Sequence, residues 1–210
     1  MRFGAPARAL LLTALFAVPA VAQNPDKIQL ADYLEWETVS NPQLSPDGRQ
    51  IVFARRWVDK LNDRWESSLY IMNVDGTRMR KLTDGSNPIW SPDGTRIAYL
   101  TKRGPDPDRH SNWDIYLVEP RTGATERRLT SFEGADLDPS FESRPAWSPD
   151  GRKIAYLQGG PDKLIYYATY PLAVIDVATG AVTIPAPIDR NFSKPRFAPD
   201  GRSVYALVEE

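Results

Sequence analysis

Few residues in this chain are equipped for chemistry, and each can be weighed singly. The one histidine, His110, stands in Gly104-Pro105-Asp106-Pro107-Asp108-Arg109-His110-Ser111-Asn112. Imidazole is the usual general base near neutral pH, but a lone one among prolines reads as a residue of a surface loop. Asp106, Asp108 and Asp114 offer oxygen ligands for calcium. Their spacing lacks the glycine turn and terminal acidic ligand of the calcium loop, so no metal site is expected. Arg55-Arg56-Trp57 supplies guanidinium groups able to grip a peptide carboxylate in bidentate fashion. The plainer reading is a solvated strand end paired with Asp59 or Asp63. Glu133 to Glu142 reads as an acidic loop. The absence of cysteine excludes disulfides, thiol catalysis and thiolate metal sites. No catalytic, cofactor-binding or metal-ligating residue is therefore assigned.

The elements that would carry these residues come from a repeat. Four copies read Pro42-Gln43-Leu44-Ser45-Pro46-Asp47-Gly48, Pro88-Ile89-Trp90-Ser91-Pro92-Asp93-Gly94, Pro145-Ala146-Trp147-Ser148-Pro149-Asp150-Gly151 and Pro195-Arg196-Phe197-Ala198-Pro199-Asp200-Gly201. Pro presets φ at the second position of a turn, Asp bonds the backbone ahead, and Gly takes the left-handed conformation, which closes a hairpin. The earlier proline suits a strand start. Leu44, Trp90, Trp147 and Phe197 would pack between neighbouring sheets. Alternation then follows: Ile51 with Phe53, Ile97 with Tyr99 and Ile154 with Tyr156 share a face, while Tyr205 and Ala206 exchange that order in the fourth copy. Third strands at 69–72, 113–118 and 172–175 lead to turns at Asp75-Gly76, Thr122-Gly123 and Thr179-Gly180. Fourth strands follow at Leu82-Thr83 and Leu129-Thr130, then a proline-interrupted stretch at Ile184-Pro185. Copies starting near 42, 88, 145 and 195 have the period of a four-stranded propeller blade. The fold class expected is all-β: an incomplete β-propeller over 41–210, three full four-stranded blades plus half of a fourth.

Ahead of the repeats, Arg2 and Arg8 precede an apolar run from Ala9 to Val18, and Ala20-Val21-Ala22 supplies a cleavage pattern. Residues 1–22 are read as a signal peptide, which implies an exported protein, periplasmic or secreted. Segment 23–40 contains a short helix candidate, Asp26 to Thr38, capped by Asp26, with Ile28, Leu30 and Tyr33 to one side. The formal net charge is −1, and −3 once Arg2 and Arg8 leave with the signal. That balance offers no basic field for nucleic acid. No membrane contact is expected after cleavage.

The repeats resemble those of TolB-like and prolyl-oligopeptidase-like propellers, also described as WD-like. Ala31-Asp32-Tyr33-Leu34 followed by Val39-Ser40-Asn41-Pro42 is similar to the start of exported acylaminoacyl-peptidase-like serine peptidases. That resemblance implies a propeller that gates peptide substrates for an α/β-hydrolase domain. It carries no catalytic residue onto this chain. A nucleophile elbow needs Gly-x-Ser-x-Gly, and the nearest run, Gly201-Arg202-Ser203, continues with Val204 and Tyr205. The hydrolase domain would lie beyond Glu210. The competing expectation is a TolB-like periplasmic propeller that binds proteins. The expected partner is the missing hydrolase domain or a peptide or protein ligand. Unpaired blade edges would also permit self-association.

Overall fold

Each Ser-Pro-Asp-Gly unit closes its hairpin with the same bonds, and the serine is central to them. In the first copy the Ser45 carbonyl accepts from the Gly48 amide at 2.9 Å. The Ser45 hydroxyl donates to the Asp47 carboxylate at 2.5 Å and accepts from the Gln50 amide at 2.9 Å. Ser91 and Ser148 repeat this with Asp93 and Asp150, both at 2.6 Å. Glycines 48, 94, 151 and 201 sit at φ between 68° and 71°, a region costly for any residue with a Cβ. The fourth copy has Ala198 in place of serine, keeps the Gly201-to-Ala198 backbone bond, and lacks the hydroxyl contacts.

A computed structural model describes residues 27–104, 110, 112–134, 136, 144–160, 164 and 168–209. The signal-peptide reading, with Asp106 and Asp108, lies outside the described residues. Blade one consists of β1 (Thr38–Leu44), β2 (Gln50–Asp59), β3 (Arg64–Asn73) and β4 (Arg80–Asp84). Blade two holds β5 (Ser86–Trp90), β6 (Ile97–Thr101), β7 (Asp114–Val118) and β8 (Arg127–Arg128). Blade three holds β9 (Ala146–Trp147), β10 (Lys153–Leu157), β11 (Leu172–Asp176) and β12 (Val182–Thr183). Blade four contributes β13 (Phe192–Phe197) and β14 (Val204–Val208). Every sheet is an antiparallel meander in chain order. The fold is an all-β propeller of three four-stranded blades and a two-stranded fourth.

Successive blades stack face to face. Val52, Ala54, Leu69 and Ile71 of blade one bury against Ile97, Tyr99 and Val118 of blade two. The other side of blade two, Ala98, Leu100, Ile115 and Leu117, joins the core built by Ile154, Tyr156, Ala173 and Ile175. Ile97 and Tyr99 do share a face, as expected, yet the alternate residues are buried too. A sandwiched sheet has two dry faces, so one-sided alternation gives way to continuous burial. In blade four Val204 and Ala206 pack on blade three, while Tyr205 and Leu207 are exposed on the opposite face. The exchanged order places the bulky Tyr205 outward.

Specific contacts repeat across the joints. The Trp90 indole donates to the Gln43 carbonyl at 3.2 Å, and Trp147 donates to the Ile89 carbonyl at 3.4 Å. Leu44, the first of the series, is exposed. Pro46, Pro92 and Pro149 lie next to the turn glycines of the following blades, Gly94, Gly151 and Gly201. At the outer edge Arg80 donates to the Pro120 carbonyl, and Arg127 to that of Val177. Gly85 makes the crossing from blade one to blade two, where a Cβ would meet Tyr99 Cδ2 at 2.5 Å and the Leu100 carbonyl oxygen at 2.8 Å.

The N-terminal helix is shorter than the sequence suggested. It is a single 3-10 segment, Leu30–Leu34, with Gln29 at its N-cap; the expected cap, Asp26, lies outside the described residues. Ile28, Leu30 and Tyr33 are exposed, so no buried face extends the helix.

Removing the Ser148 hydroxyl strips the Lys153 amide of one acceptor and Asp150 of one of its two donors, the Arg152 amide being the other. Ser148→Ala is expected to lower unfolding free energy by about 1 kcal/mol, and Ala198→Ser to raise it by up to about the same amount. Urea titrations check both; equal midpoints for all three proteins would refute the role given to the serine.

Candidate functional site

In three of the four copies the residue just before the repeat proline meets a counterpart in another blade. In β1, β5 and β13 the ladder is broken between Ser40 and Gln43, Ser86 and Ile89, and Ser193 and Arg196. At those bulges Asn41, Asn87 and Lys194 take φ of 54°, 49° and 53°. Asparagine tolerates this region, whereas lysine pays about 1–2 kcal/mol for it. Backbone strain of this sort collects at functional sites.

The side chains then meet across blades. Asn41 Nδ2 donates to Asn87 Oδ1 at 2.6 Å, joining blades one and two. Arg144, before the proline of copy three, donates to Asn41 Oδ1 and so joins blade three to blade one. A bond that skips the intervening blade is possible only where the first strands converge, at the propeller axis. Asn87 is buried, and Asn41 and Arg144 are half-buried. Among the described residues Arg144 has no acidic partner. Among the described residues the Ser86 hydroxyl, one position before Asn87 in the chain, is buried without a hydrogen-bond partner.

The residues singled out from sequence are spent elsewhere. Arg55 is bidentate to Glu37, at 2.6 and 2.5 Å, and stacks on Tyr70; its predicted partners Asp59 and Asp63 do not engage it. The guanidinium of Arg55 holds the Glu37 carboxyl below its usual range. Arg56 lies 4.3 Å from the ring centroid of Trp65. Neither is a vacant carboxylate clamp. Asp114 is buried and bonded to Arg128 at 2.9 Å, which uses it as a structural ion pair. His110 Nδ1 accepts from the Asn112 amide at 3.2 Å. Among the described residues no three His, Asp or Glu side chains converge as a metal ion would require.

The acidic loop conceals a feature that sequence did not reveal. Asp136 is fully buried, at 0% exposure, and among the described residues neither carboxylate oxygen has a hydrogen-bond partner. Burial, reinforced by the charge of Asp114, pushes its carboxyl up to about 7; the nearby Thr130 hydroxyl, outside hydrogen-bonding geometry, and the Arg128 charge only partly offset this.

Comparison with known proteins fits this architecture. The chain is 34% identical over 123 residues to dipeptidyl-peptidase 5 of Porphyromonas gingivalis, covering 57% of this chain and 17% of that protein. It is 35% identical over 142 residues to a TolB homologue of Chlorobium luteolum, covering 66% and 27%. Its blades are TolB-like propeller blades of the kind that prolyl-oligopeptidase-like peptidases also carry. The acylaminoacyl peptidase of Pyrococcus horikoshii shares the fold, with a TM-score of 0.56 at 12% identity over 84% of this chain and 26% of the other. No family model matches the sequence. The chain spans less than a third of the length of the curated relatives first matched, 17 to 27%.

Within these TolB-like blades the axial residues were legible one step upstream of the recognised repeat. Ser-Asn-Pro, Ser-Asn-Pro, Ser-Arg-Pro and Ser-Lys-Pro begin the four copies, at 40, 86, 143 and 193. A polar or basic residue in a fixed frame beside an invariant Ser and Pro was the available signal. Asp136 had none, because nothing in an acidic loop marks which carboxylate turns inward.

Asp136 sets a pH dependence with a definite sign. Its folded value of about 7 exceeds the unfolded value of about 3.9. Between these, the folded state keeps a proton that the unfolded state has lost, so stability falls as pH rises. The full loss above pH 7 has an upper bound of about 4 kcal/mol. Asp136→Asn should therefore stabilise the protein above pH 7 and flatten the profile between about pH 4 and 7. Parallel melting curves for the two proteins across that range would overturn the assignment.

Proposed function

We propose that this chain is the substrate-gating propeller portion of an exported prolyl-oligopeptidase-like serine peptidase, working with a hydrolase domain. The observation that carries the reading is the entry segment. Lys60 pairs with Glu35, and Arg55 with Glu37, tying 35–37 to the long β2–β3 ribbon. That tether leaves Leu30, Tyr33, Leu34 and Trp36 exposed, together with Leu61 and Trp65 of the ribbon. An apolar and aromatic surface of this kind is one that another domain covers. The resemblance of the same segment to peptidase openings, and the likeness to dipeptidyl-peptidase 5, support it. In this reading the propeller admits and orients peptides and breaks no bond itself.

The likeness to a TolB homologue over 142 residues favours a second reading, a periplasmic propeller that binds proteins and serves no enzyme. Coding DNA downstream of codon 210 separates the two. A Gly-x-Ser-x-Gly region supports the peptidase; further blades followed by a stop support the binding module. The purified chain is expected to leave chromogenic peptide substrates intact. Turnover above buffer that disappears on replacing a single serine would overturn both readings.

A further inference from the structure

The axial cluster of Asn41, Asn87 and Arg144, with Lys194 in the same frame of blade four, has a chemistry that neither functional reading assigns. We propose that it is a binding site for a carboxylate, presented by a peptide to the axis of the propeller.

Position comes first. The four residues occupy one repeat position, immediately before Pro42, Pro88, Pro145 and Pro195. Three of them are held in the left-handed region, and the bulges that produce this take each residue out of register with the sheet. The bond from Arg144 to Asn41 crosses from blade three to blade one, which fixes the cluster on the axis.

Charge comes next. The frame holds two amides and two cations and no acid, so the repeat position itself brings hydrogen-bond donors and no negative side chain, in a chain whose overall charge is slightly negative. Asn41 already spends its Oδ1 on Arg144 and one amide hydrogen on Asn87. This leaves the guanidinium, anchored through one Nη, with further N–H donors and no carboxylate to receive them among the described residues. A fork of guanidinium donors matches a carboxylate in geometry.

The outer arginines cannot play this part: Arg55 is already bidentate to Glu37, and Arg128 is bonded to Asp114.

The proposal is independent of whether a hydrolase domain follows. Calorimetric titration of the full purified chain at low chloride tests it, with three probes: Gly-Gly-Gly, its C-terminal amide, and N-acetyl-glutamate α-amide. Gly-Gly-Gly or the glutamate derivative should bind at least tenfold more tightly than the amide. Preference for the first identifies a chain terminus as the source of the carboxylate, and preference for the second an acidic side chain. Arg144→Gln should weaken binding of the preferred probe at least tenfold. Lys194→Gln, at an exposed position, should weaken it less, and melting curves of both variants separate lost affinity from lost folding, which keeps the test valid if Arg144→Gln perturbs folding. Equal binding of the free and amidated peptides, no binding of any probe, or wild-type affinity in both variants would overturn the proposal.

Discussion

A β-blade in this chain cannot bury itself, and the rest of the structure answers to that constraint. Each four-stranded sheet has two apolar faces and no helix to cover either. Only the next blade can remove Ile97 and Tyr99, or Ala98 and Leu100, from water. The repeat therefore encodes joints as much as hairpins. Trp90 and Trp147 reach back to a carbonyl of the preceding blade. Each turn proline from Pro46 to Pro149 rests beside the turn glycine of the blade after it. Stability in such an array is the sum of weak intrinsic blades and strong interfaces.

That constraint explains what sequence could and could not reveal. Glycines 48, 94, 151 and 201 were legible because only glycine is at ease where their backbones lie. The aromatic positions were legible because a large side chain beside a strand-opening proline has one useful destination. Faces were harder. Ala98 and Ala155 read as gaps in an alternating pattern but are as buried as their neighbours, since small residues let adjacent sheets approach. The serines of the first three turns had no role in the sequence reading, yet their hydroxyls bridge Asp and backbone.

The candidate site shows the same limit. Sequence directed attention to Arg55 at a strand end and to His110 and the aspartates of its loop, residues with reactive side chains. The fold spends Arg55 and Asp114 on ion pairs and instead gathers Asn41, Asn87 and Arg144, three residues more than 40 positions apart, at the axis. No local pattern signals that convergence. It follows from radial symmetry, which brings every first strand to a common centre, and from bulges that lift one residue per blade out of its ladder.

The account stands or falls on the joint between blades. Nuclear Overhauser spectroscopy on the purified chain reads it directly, through the indole N–H of Trp90 and the ring protons of Pro46. Radial stacking predicts cross-peaks from Trp90 to Gln43 and Leu44, and from Pro46 to Gly94. Hairpins that fold but do not stack would show Trp90 contacting only its own blade, and that result would contradict the structure described.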